Sequence, residues 1–483
     1  MEFFSQWFNT NRDLLKSILE IAKDRNVKLY LVGGVLRDIL LKKEKENPDL
    51  DFCLKNGAIN FARILARKLK CGFVALDEIH GCGRVVKKMK GKIYTLDFSD
   101  FRGKILEDDL LHRDFSINSM AVELEKLFNY RQLNSLLIDP YGGRKDLKAG
   151  VVRIVNKHSF DEDPLRILRA FSLAATFDMR IEKGTLRLID LKKNKLKNVS
   201  YERIRDEVFK ILSSRKGYAF LIQLDRYGIL DLVIPEIKML RRFKQRRYHL
   251  DVWGHSLETV KKLELLINSL TRNAEIRDYL SEEISLGRRR AELLKLAALL
   301  HDIGKPRTFR IQKGKVRFHG HERLGAHMVS DIAIRLKLSN EEARILKKTI
   351  LLHLRPGYMV SNAVLTPRAR FRFFRDAAGE AVSVLLISWA DERATRGYLL
   401  LNKIRKRYER LIPRLIKDYF AKEKRSKPVR LVNGNDLMKR FKLAPSPLIG
   451  KILRELEELQ AIGKIKTKTD GLKAAAGIIS RQS

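Results

Sequence analysis

Segments with strand character are confined to the first third of the chain, and this asymmetry limits the possible fold more than any other feature of the sequence. After a helical opening, "VKLYLVGG", "DLDFCL", "GFVAL" and "IYTLDF" show the β-branched and aromatic content of strands. From about residue 160 onward a period near 3.6 dominates, as in "YERIRDEVFKIL" and "ELLKLAALLHDIG". The sequence therefore predicts an α+β fold in which a small mixed sheet precedes an all-α remainder.

A chain of 483 residues is too long for one hydrophobic core, so several domains are expected. Composition breaks fall near residues 156 to 160, near 225 to 235 and in the basic "AKEKRSKPVR" before residue 431. These breaks predict four parts: a head over 1–156, a helical neck over 157–226, a helical body over 227–424 and a basic helical tail over 425–483.

The charge balance points to a polyanionic partner. Lys and Arg number 99 against 58 Asp and Glu, which gives a formal net charge of +41. The excess is dispersed: residues 238–247 carry six cations and no acid, and residues 401–430 carry twelve cations against three acids. Dispersed charge of this kind fits a phosphate backbone better than an anionic membrane surface. A solvated surface in a lysine-rich proteome is the alternative.

The cysteine content and the lengths of the apolar runs indicate where in the cell the protein is located. Cys53, Cys71 and Cys82 are unevenly spaced and form no CxxC pair, so neither a disulfide framework nor a thiolate zinc site is expected. No uninterrupted apolar run approaches membrane-spanning length. We therefore predict a cytoplasmic protein with no membrane association and no obligatory protein partner.

Two short stretches near the N-terminus carry residues suited to phosphate and metal chemistry. "KLYLVGGVLRDILL" is a strand, a Gly-Gly turn and a helix, where the backbone of Gly33 and Gly34 can approach a phosphate and Arg37 can meet its charge. In "DLDFCL", strand alternation puts Asp49 and Asp51 on one face. Such paired carboxylates suit Mg²⁺, although two solvated acids at a strand edge would look the same.

Further polar groups follow in the same region. "LLHRDFSINSMAV" (110–122) holds Arg113, Asp114 and Asn118 in what we predict to be an otherwise apolar helix, where polar groups need partners. "DPYGGRKDL" (139–147) adds a second Gly-Gly turn, for which a plain β-turn is the alternative interpretation.

In this order, "VGGVLRD", "DLDF", "HRDFSINSM", "DPYGG", "EDPLRILRA" and "YERIRDEVFKIL" resemble the bacterial-type CCA-adding tRNA nucleotidyltransferase and poly(A) polymerase family, whose head is polymerase β-like. The resemblance implies transfer of CMP from CTP, with ATP as a second candidate, to the 3′ end of tRNA. It also implies site residues: Asp49 and Asp51 as catalytic ligands of Mg²⁺, and Gly33, Gly34, Arg37, Arg113, Asp114, Asn118, Asp163, Arg166 and Arg169 as nucleotide-binding residues.

The EDxxR stretch, Glu162 to Arg166, resembles the family's protein template for the incoming base. Cytosine and adenine both offer an amine donor beside a ring-nitrogen acceptor, so Asp163 can accept and Arg166 can donate. A helix start made by Asp163 and Pro164 is the alternative.

The chain also departs from the family. His112 and Ser172 stand where arginine is usual, and only nine residues separate Asp97 from Glu107. That short linker is similar to the C-adding subgroup, so CC addition is favoured.

Seven of the ten histidines lie between residues 249 and 353. With "LAALLHDIGKP" and "ISWADERA" they resemble the HD superfamily of metal-dependent phosphohydrolases, which suits Mn²⁺, Fe²⁺, Ni²⁺ or Mg²⁺. His249, His319 and His327 are expected not to bind metal. The resemblance implies His255, His301, Asp302 and Asp391 as core ligands, and His321 and His353 as ligands of a second position.

Three other functions remain open from the sequence. A poly(A) polymerase would act on varied RNA, an HD phosphohydrolase would carry a dormant head, and a non-catalytic RNA-binding protein would not need paired metal carboxylates. The basic tail is expected either to contact the tRNA elbow or to pack on the body.

Overall fold

The computed structural model describes residues 2–44, 47–89, 91–129, 132–241, 243, 251–362, 364–395, 400–423 and 430–481. The chain divides into two compact units, Met1–Ile211 and Leu212–Ser483. Among the described residues, the structure contains no helix that is both long enough and apolar enough to cross a bilayer.

Within its described residues, the first unit combines eight strands with ten helices. Its strands are β1 (Tyr30–Val32), β2 (Asp49–Leu54), β3 (Gly72–Asp77), β4 (Cys82–Met89), β5 (Lys92–Asp100), β6 (Ala121–Glu123), β7 (Val151–Val152) and β8 (Arg180–Ile181). Its helices are α1 (Glu2–Asp24), α2 (Gly34–Leu40), α3 (Ala58–Leu69), α4 (Leu106–Leu111), α5 (Lys126–Asn129), α6 (Gly143–Ala149), α7 (Ser159–Glu162), α8 (Arg166–Phe177), α9 (Lys183–Lys192) and α10 (Tyr201–Ser213), the last of which runs just past the unit's end.

Six of these strands form one mixed sheet in the order β3-β4-β5-β2-β1-β6. β2 pairs with β5 in parallel and with β1 antiparallel. The predicted mixed sheet is confirmed, including strands at "LYLV", "DLDFCL", "GFVAL" and "IYTLDF". β4 and β6 are not predictable from local pattern, because the basic "GRVVKKM" and the short "AVE" have too few apolar alternations.

The core of the sheet lies on one of its faces. Phe52 of β2 stacks on Phe98 of β5 with ring centroids 5.1 Å apart, and Phe61 of α3 lies 5.2 Å from Phe98. All three side chains are buried. The apolar residues of both strands therefore point to this face, which leaves their acidic residues on the other.

The predicted helix over residues 110–122 is wrong. α4 ends at Leu111, and a short 3-10 helix (Ser116–Asn118) and β6 follow. The Asp114 carboxylate accepts from the backbone N–H of Phe115 at 2.8 Å, which favours a turn, and the Ser116 hydroxyl donates to Asp146 at 2.7 Å. The polar side chains, whose burial in a helix would be unfavourable without partners, instead find partners in a non-helical segment.

The second unit is mainly helical. Its helices are α11 (Gly217–Arg226), α12 (Leu230–Val233), α13 (Val252–Leu270), α14 (Ala274–Ser281), α15 (Arg290–Leu300), α16 (Lys305–Thr308), α17 (His321–Arg335), α18 (Asn340–Leu352), α19 (Arg355–Ser361), α20 (Pro367–Ala377), α21 (Ala381–Ala394), α22 (Leu400–Glu423), α23 (Gly434–Phe441), α24 (Pro447–Ala461) and α25 (Lys468–Ile479). Two hairpins interrupt them, β9 (Glu283–Ser285) with β10 (Arg288–Arg289) and β11 (Arg310–Gln312) with β12 (Lys315–Arg317).

α15 and α21 form the centre of this unit. Both helices are apolar around most of their circumference, and nearly all their residues are buried. α13 packs against both of them. The HD dipeptide at the end of α15 is therefore placed at the unit's centre.

The tail helices α23 to α25 share a small core of their own. Glu458 of α24 is buried and accepts from Arg368 and, at 2.9 Å, from Arg372, both on α20. Of the two expectations for the tail, packing on the body is observed for α24.

Candidate active site and metal centre

The turn between β1 and α2 is shaped by Gly33. Its φ is +79°, a region that favours glycine. A Cβ built on Gly33 would lie 2.9 Å from Asp51 Oδ2 and 3.2 Å from an Arg113 nitrogen. The backbone therefore approaches the carboxylate closely because no side chain intervenes.

Asp49 and Asp51 lie on the sheet face opposite the aromatic core. The parallel register places Asp51 beside Asp97 and Asp49 beside Thr95. Asp97 also pairs with Arg84 through two hydrogen bonds of 2.8 and 2.7 Å. The sequence analysis did not assign Asp97 to the site, because only the pairing of β2 with β5 reveals that it stands next to Asp51.

A polar cavity of about 290 Å³ opens beside this face. Nine of its ten lining residues are predicted site residues, and Arg102 is the tenth. Asp49 and Arg37 are the two predicted head residues outside this lining; Asp49 is exposed at the start of β2. The lining comprises Gly33, Gly34, Asp51, Arg102, Arg113, Asp114, Asn118, Asp163, Arg166 and Arg169.

Arg37 lies behind the cavity rather than in it. Its guanidinium is buried, donates to Asp38 at 2.9 and 2.7 Å, and donates to the Asn118 side-chain oxygen at 2.6 Å. The Asn118 amide in turn donates to Asp114 at 2.9 Å. In this structure Arg37 therefore orients the cavity residue Asn118.

Asp114 is held ionised by its neighbours. Burial alone would raise the pKa of its carboxyl, but the charge of Arg169 and the Asn118 amide lower that pKa below its usual value. Arg169 lies 3.4 Å from Asp114 and 3.7 Å from the buried Glu207. Ser172, where the family usually has arginine, donates to Glu207. The two acids thus fix Arg169 at the cavity.

Arg166 is held by a different set of residues from those that hold Arg169. It is buried, and it donates to Glu162 at 3.1 Å, to the Ser159 hydroxyl at 2.5 Å and to the His112 carbonyl at 2.8 Å. The His112 ring lies 2.9 Å from the other oxygen of Glu162. His112 therefore contributes to holding Glu162, the acid that anchors Arg166.

The Asp163 carboxylate contributes to the turn before α8 and also faces the cavity. One carboxylate oxygen accepts from the Leu165 backbone N–H at 3.1 Å, which tightens the turn before α8, and the other accepts from Arg203 at 2.8 Å. Its side chain also lines the cavity. The helix itself starts at Arg166, so the carboxylate supports the turn and not a regular N-cap.

Asp109 was missed by the sequence analysis. It is buried, and it accepts from Arg113 at 3.1 Å and from the Arg102 backbone at 3.3 Å. It therefore orients two arginines of the cavity. No periodicity or motif distinguishes it from Glu107 and Asp108, which precede it in the same acidic run.

Six predicted metal ligands converge at the centre of the second unit. They form two groups, each with its ligand atoms within 4.8 Å of one another. Among the contacts, His255 Nε2 lies 2.8 Å from Asp391, and His301 Nε2 lies 3.2 Å from Asp302. The groups are His255, His301 and Asp391, and Asp302, His321 and His353.

The imidazoles of this centre are oriented for metal binding. The Nδ1 atoms of His301, His321 and His353 lie 2.8, 2.8 and 2.6 Å from backbone carbonyls, to which they can donate. Their Nε2 atoms are buried and make no hydrogen bond. Locking Nδ1 as a donor leaves Nε2 free to bind a cation, so these residues fit a divalent metal.

The two carboxylates of the centre stabilise positive charge between them. Burial alone would lower the pKa of His301, but Asp302 and Asp391 raise it to about 10. Burial and the charge of His301 lower the pKa of His353 to about 4. His319 and His327 are exposed and belong to neither ligand group, and His249 lies outside the described residues.

The family models divide the chain consistently with these two sites. A poly A polymerase head domain matches residues 29–153, an HD domain 252–395, and tRNA nucleotidyltransferase domain 2 matches 324–476. A "Probable RNA and SrmB- binding site of polymerase A" matches 178–240. The fold and the sites thus define a nucleotidyltransferase with an HD-type body.

Relatives extend over nearly the whole chain. The A-adding tRNA nucleotidyltransferase of Deinococcus radiodurans is 32% identical over 90% of this chain and 92% of its own, and the CC-adding enzyme of Synechocystis is 27% identical over 92% and 91%. The Thermotoga maritima CCA-adding enzyme complexed with tRNA has the same fold, with a TM-score of 0.62 at 21% identity over 97% and 95% of the two chains. The chain belongs to the bacterial tRNA nucleotidyltransferase family, and membership implies dependence on divalent metal ions.

Gly33→Ala should abolish most nucleotidyl transfer, since its Cβ would collide with Asp51. Gly57→Ala is the matched control, because Gly57 has φ +85° and nothing within 4 Å of a built Cβ. Both changes should strain the backbone by about 1 to 2 kcal/mol. Only Gly33→Ala should lower kcat/KM, by about 100-fold. Equal activity of the two variants would contradict the close approach.

His321→Ala should weaken binding of Mn²⁺ by about 10-fold or more. Removing a residue that merely hydrogen-bonds a metal ligand typically lowers metal affinity by about that factor, and removing the ligand itself should lower it at least as much. His327→Ala removes an exposed histidine from the same helix and should leave metal binding unchanged. Calorimetric titration of the metal-stripped protein measures both. Identical isotherms for the two variants would show that His321 is no ligand.

Proposed function

We propose that this chain adds nucleotides from a nucleoside triphosphate to the 3′-hydroxyl of tRNA, releases pyrophosphate and uses no nucleic-acid template. The observation that carries the proposal is the single cavity in which Asp51, the Gly-Gly turn and the pair Asp163 and Arg166 meet. Phosphate-binding, metal-binding and base-reading groups are thus available to one nucleotide. We also propose that the reaction takes place in the cytoplasm.

Asp49 and Asp51 would hold Mg²⁺ in the head, since hard carboxylate oxygens are what this ion prefers. When bound there, Mg²⁺ supplies charge that neutralises the triphosphate and lowers the pKa of an attacking hydroxyl. Asp97 adds a third carboxylate beside Asp51. Arg102 and Arg113, both held by Asp109, would meet the phosphates.

Base choice would depend on Asp163 and Arg166. The carboxylate accepts from the exocyclic amine of cytosine or adenine, and the guanidinium donates to the adjacent ring nitrogen. Uracil or guanine would leave both groups unpaired, which discriminates by roughly 10⁴-fold when such groups are buried. The fixed guanidinium of Arg166 supports this role, because a donor held in one position can match only one arrangement of hydrogen-bonding groups on the base.

CC addition is the specific activity we propose. Only residues 101–105 separate β5 from α4. This linker is pinned, since the backbone N–H groups of Lys104 and Arg102 donate to Asp108 at 2.9 Å and to Asp109 at 3.3 Å. A short linker held in this way limits how far the neighbouring cavity can change shape. A cavity that accepts cytosine would then not rearrange to accept adenine. Addition of A is the second candidate, favoured by the 32% identical relative named as A-adding.

Four substrates distinguish these activities: tRNA ending before the CCA tail, after one C and after two C's, and an unrelated RNA, each with CTP or ATP separately. CC addition predicts CTP incorporation that stops after the second C and no ATP incorporation. Product lengths on a sequencing gel give the result. Efficient ATP addition to the two-C tRNA would replace CC addition by A addition, and long ATP products on any RNA would indicate a poly(A) polymerase.

A second activity is favoured by the metal centre of the body. Six ligands converge there, and the Nε2 atoms of His301, His321 and His353 are buried without a hydrogen bond, an arrangement that packing alone does not require. We propose that this centre, loaded with Mn²⁺, Fe²⁺, Ni²⁺ or Mg²⁺, hydrolyses phosphoesters.

Asp49→Ala should abolish tRNA extension and leave hydrolysis of bis(p-nitrophenyl) phosphate unchanged, because Asp49 and the metal centre of the body belong to separate units. His301→Ala should do the reverse. Both assays are run on both variants with Mn²⁺ and Mg²⁺ present. Loss of both activities in either variant would show that the two sites are not independent, and absence of hydrolysis in the parent chain would disprove the hydrolase.

A further inference from the structure

The hairpin formed by β11 and β12 lies in sequence between two metal ligands, Asp302 and His321. Its strands pair Arg310 with Arg317, Ile311 with Val316 and Gln312 with Lys315. The two strands form a sheet of their own, and every strand residue is exposed. Such an isolated hairpin is only marginally stable in water.

The hairpin is strongly cationic. Residues 303–320 contain six Lys or Arg and no Asp or Glu. Within the part of the chain that the structure describes, Arg310, Lys313, Lys315 and Arg317 make no ion pair. By contrast, Arg288 and Arg290 of the same unit are paired with the buried acids Glu342 and Glu380.

The arrangement of these charges opposes local folding. Arg310 and Arg317 are direct cross-strand partners, and like charges in that position are destabilising. By strand alternation, Gln312 and Lys315 share the face of the two arginines. An anionic ligand on that face would be attracted to both guanidinium groups and would offset the repulsion between them.

The base of the hairpin is connected to the metal centre. Phe309 and Phe318 pack across it with ring centroids 6.0 Å apart. The Phe318 carbonyl lies 2.8 Å from Nδ1 of His321, and the Phe318 ring lies 5.6 Å from the ammonium of Lys305. That ammonium donates to Asp302 at 2.5 Å. The residues that end the hairpin therefore also orient two ligands.

We propose that this hairpin is the RNA-binding arm of the metal centre: its cationic face binds the phosphates of a single-stranded RNA and presents a 3′-terminal phosphate to the centre. The inference rests on the proposed hydrolase activity. In hydrolysis, water forms a bond to phosphorus, the bond from phosphorus to the ribose 3′ oxygen breaks, and that oxygen takes a proton. The products are inorganic phosphate and an RNA 3′-hydroxyl, the group that nucleotidyl transfer requires.

The test compares a short 3′-phosphorylated RNA with bis(p-nitrophenyl) phosphate, using the full chain loaded with Mn²⁺. Arg310→Glu with Arg317→Glu should raise KM for the RNA by about 10-fold or more and reduce its salt dependence by roughly one to two released ions. Hydrolysis of the small phosphodiester should not change. Arg272→Glu with Arg277→Glu, two exposed arginines of the same unit, is the charge-matched control.

Arg310→Gln with Arg317→Gln separates binding from folding. This pair removes the cross-strand repulsion, so a structural role predicts unchanged or improved function, whereas the proposal predicts weaker use of RNA. Unchanged KM for RNA in both double variants, or an equal fall with the small substrate, would overturn the proposal.

If the parent chain hydrolyses neither substrate, the hydrolase activity fails separately, and the arm is judged by anisotropy of the labelled RNA. Weaker binding by the hairpin variants than by the control supports an RNA contact, and equal binding overturns it.

Discussion

The parallel pairing of β2 with β5 is the interaction on which the head depends. It aligns Phe52 with Phe98 and Asp51 with Asp97, one pair on each face. Because strand side chains alternate, the same register buries the aromatic pair and gathers the acids. A slip of one residue would bury the acids and expose the rings. The stability of the core therefore maintains the spacing of the carboxylates, so the site needs no separate means of holding them together.

The metal centre of the body solves a different physical problem. Four imidazoles and two carboxylates are gathered between helices that are otherwise apolar, where unpaired polar groups are unfavourable. Backbone carbonyls near the ends of helices satisfy three Nδ1 atoms and leave the Nε2 atoms unsatisfied. A cation would satisfy them together with Asp302 and Asp391. The helix ends thus position ligands that are far apart in sequence.

Sequence predicted the class of fold and most of the cavity, but not the contacts between distant segments. Gly33 and Asp51 could be recognised because a turn and an alternating strand leave local patterns. Asp97 and Asp109 could not, since their roles depend on which strands pair and on which arginines an acid happens to hold. The position of Arg37 in the first turn of a helix predicts a phosphate contact, whereas its hydrogen bonds to Asp38 and Asn118 could not be predicted from the sequence. The helix predicted over 110–122 is wrong because polar side chains in this segment hydrogen-bond the backbone of a turn, as Asp114 does with the Phe115 N–H.

The two departures from the family pattern leave Arg166 and Arg169 anchored at the cavity. His112 contacts Glu162 and Ser172 contacts Glu207, so each acid keeps a partner where an arginine is usual. Glu207 also pairs with the ammonium of Lys210 at 2.9 Å. Both acids therefore remain available to anchor Arg166 and Arg169. Since an anchored guanidinium loses little freedom when it meets a base, base choice on our proposal depends on Asp163 and Arg166 and not on the substituted positions.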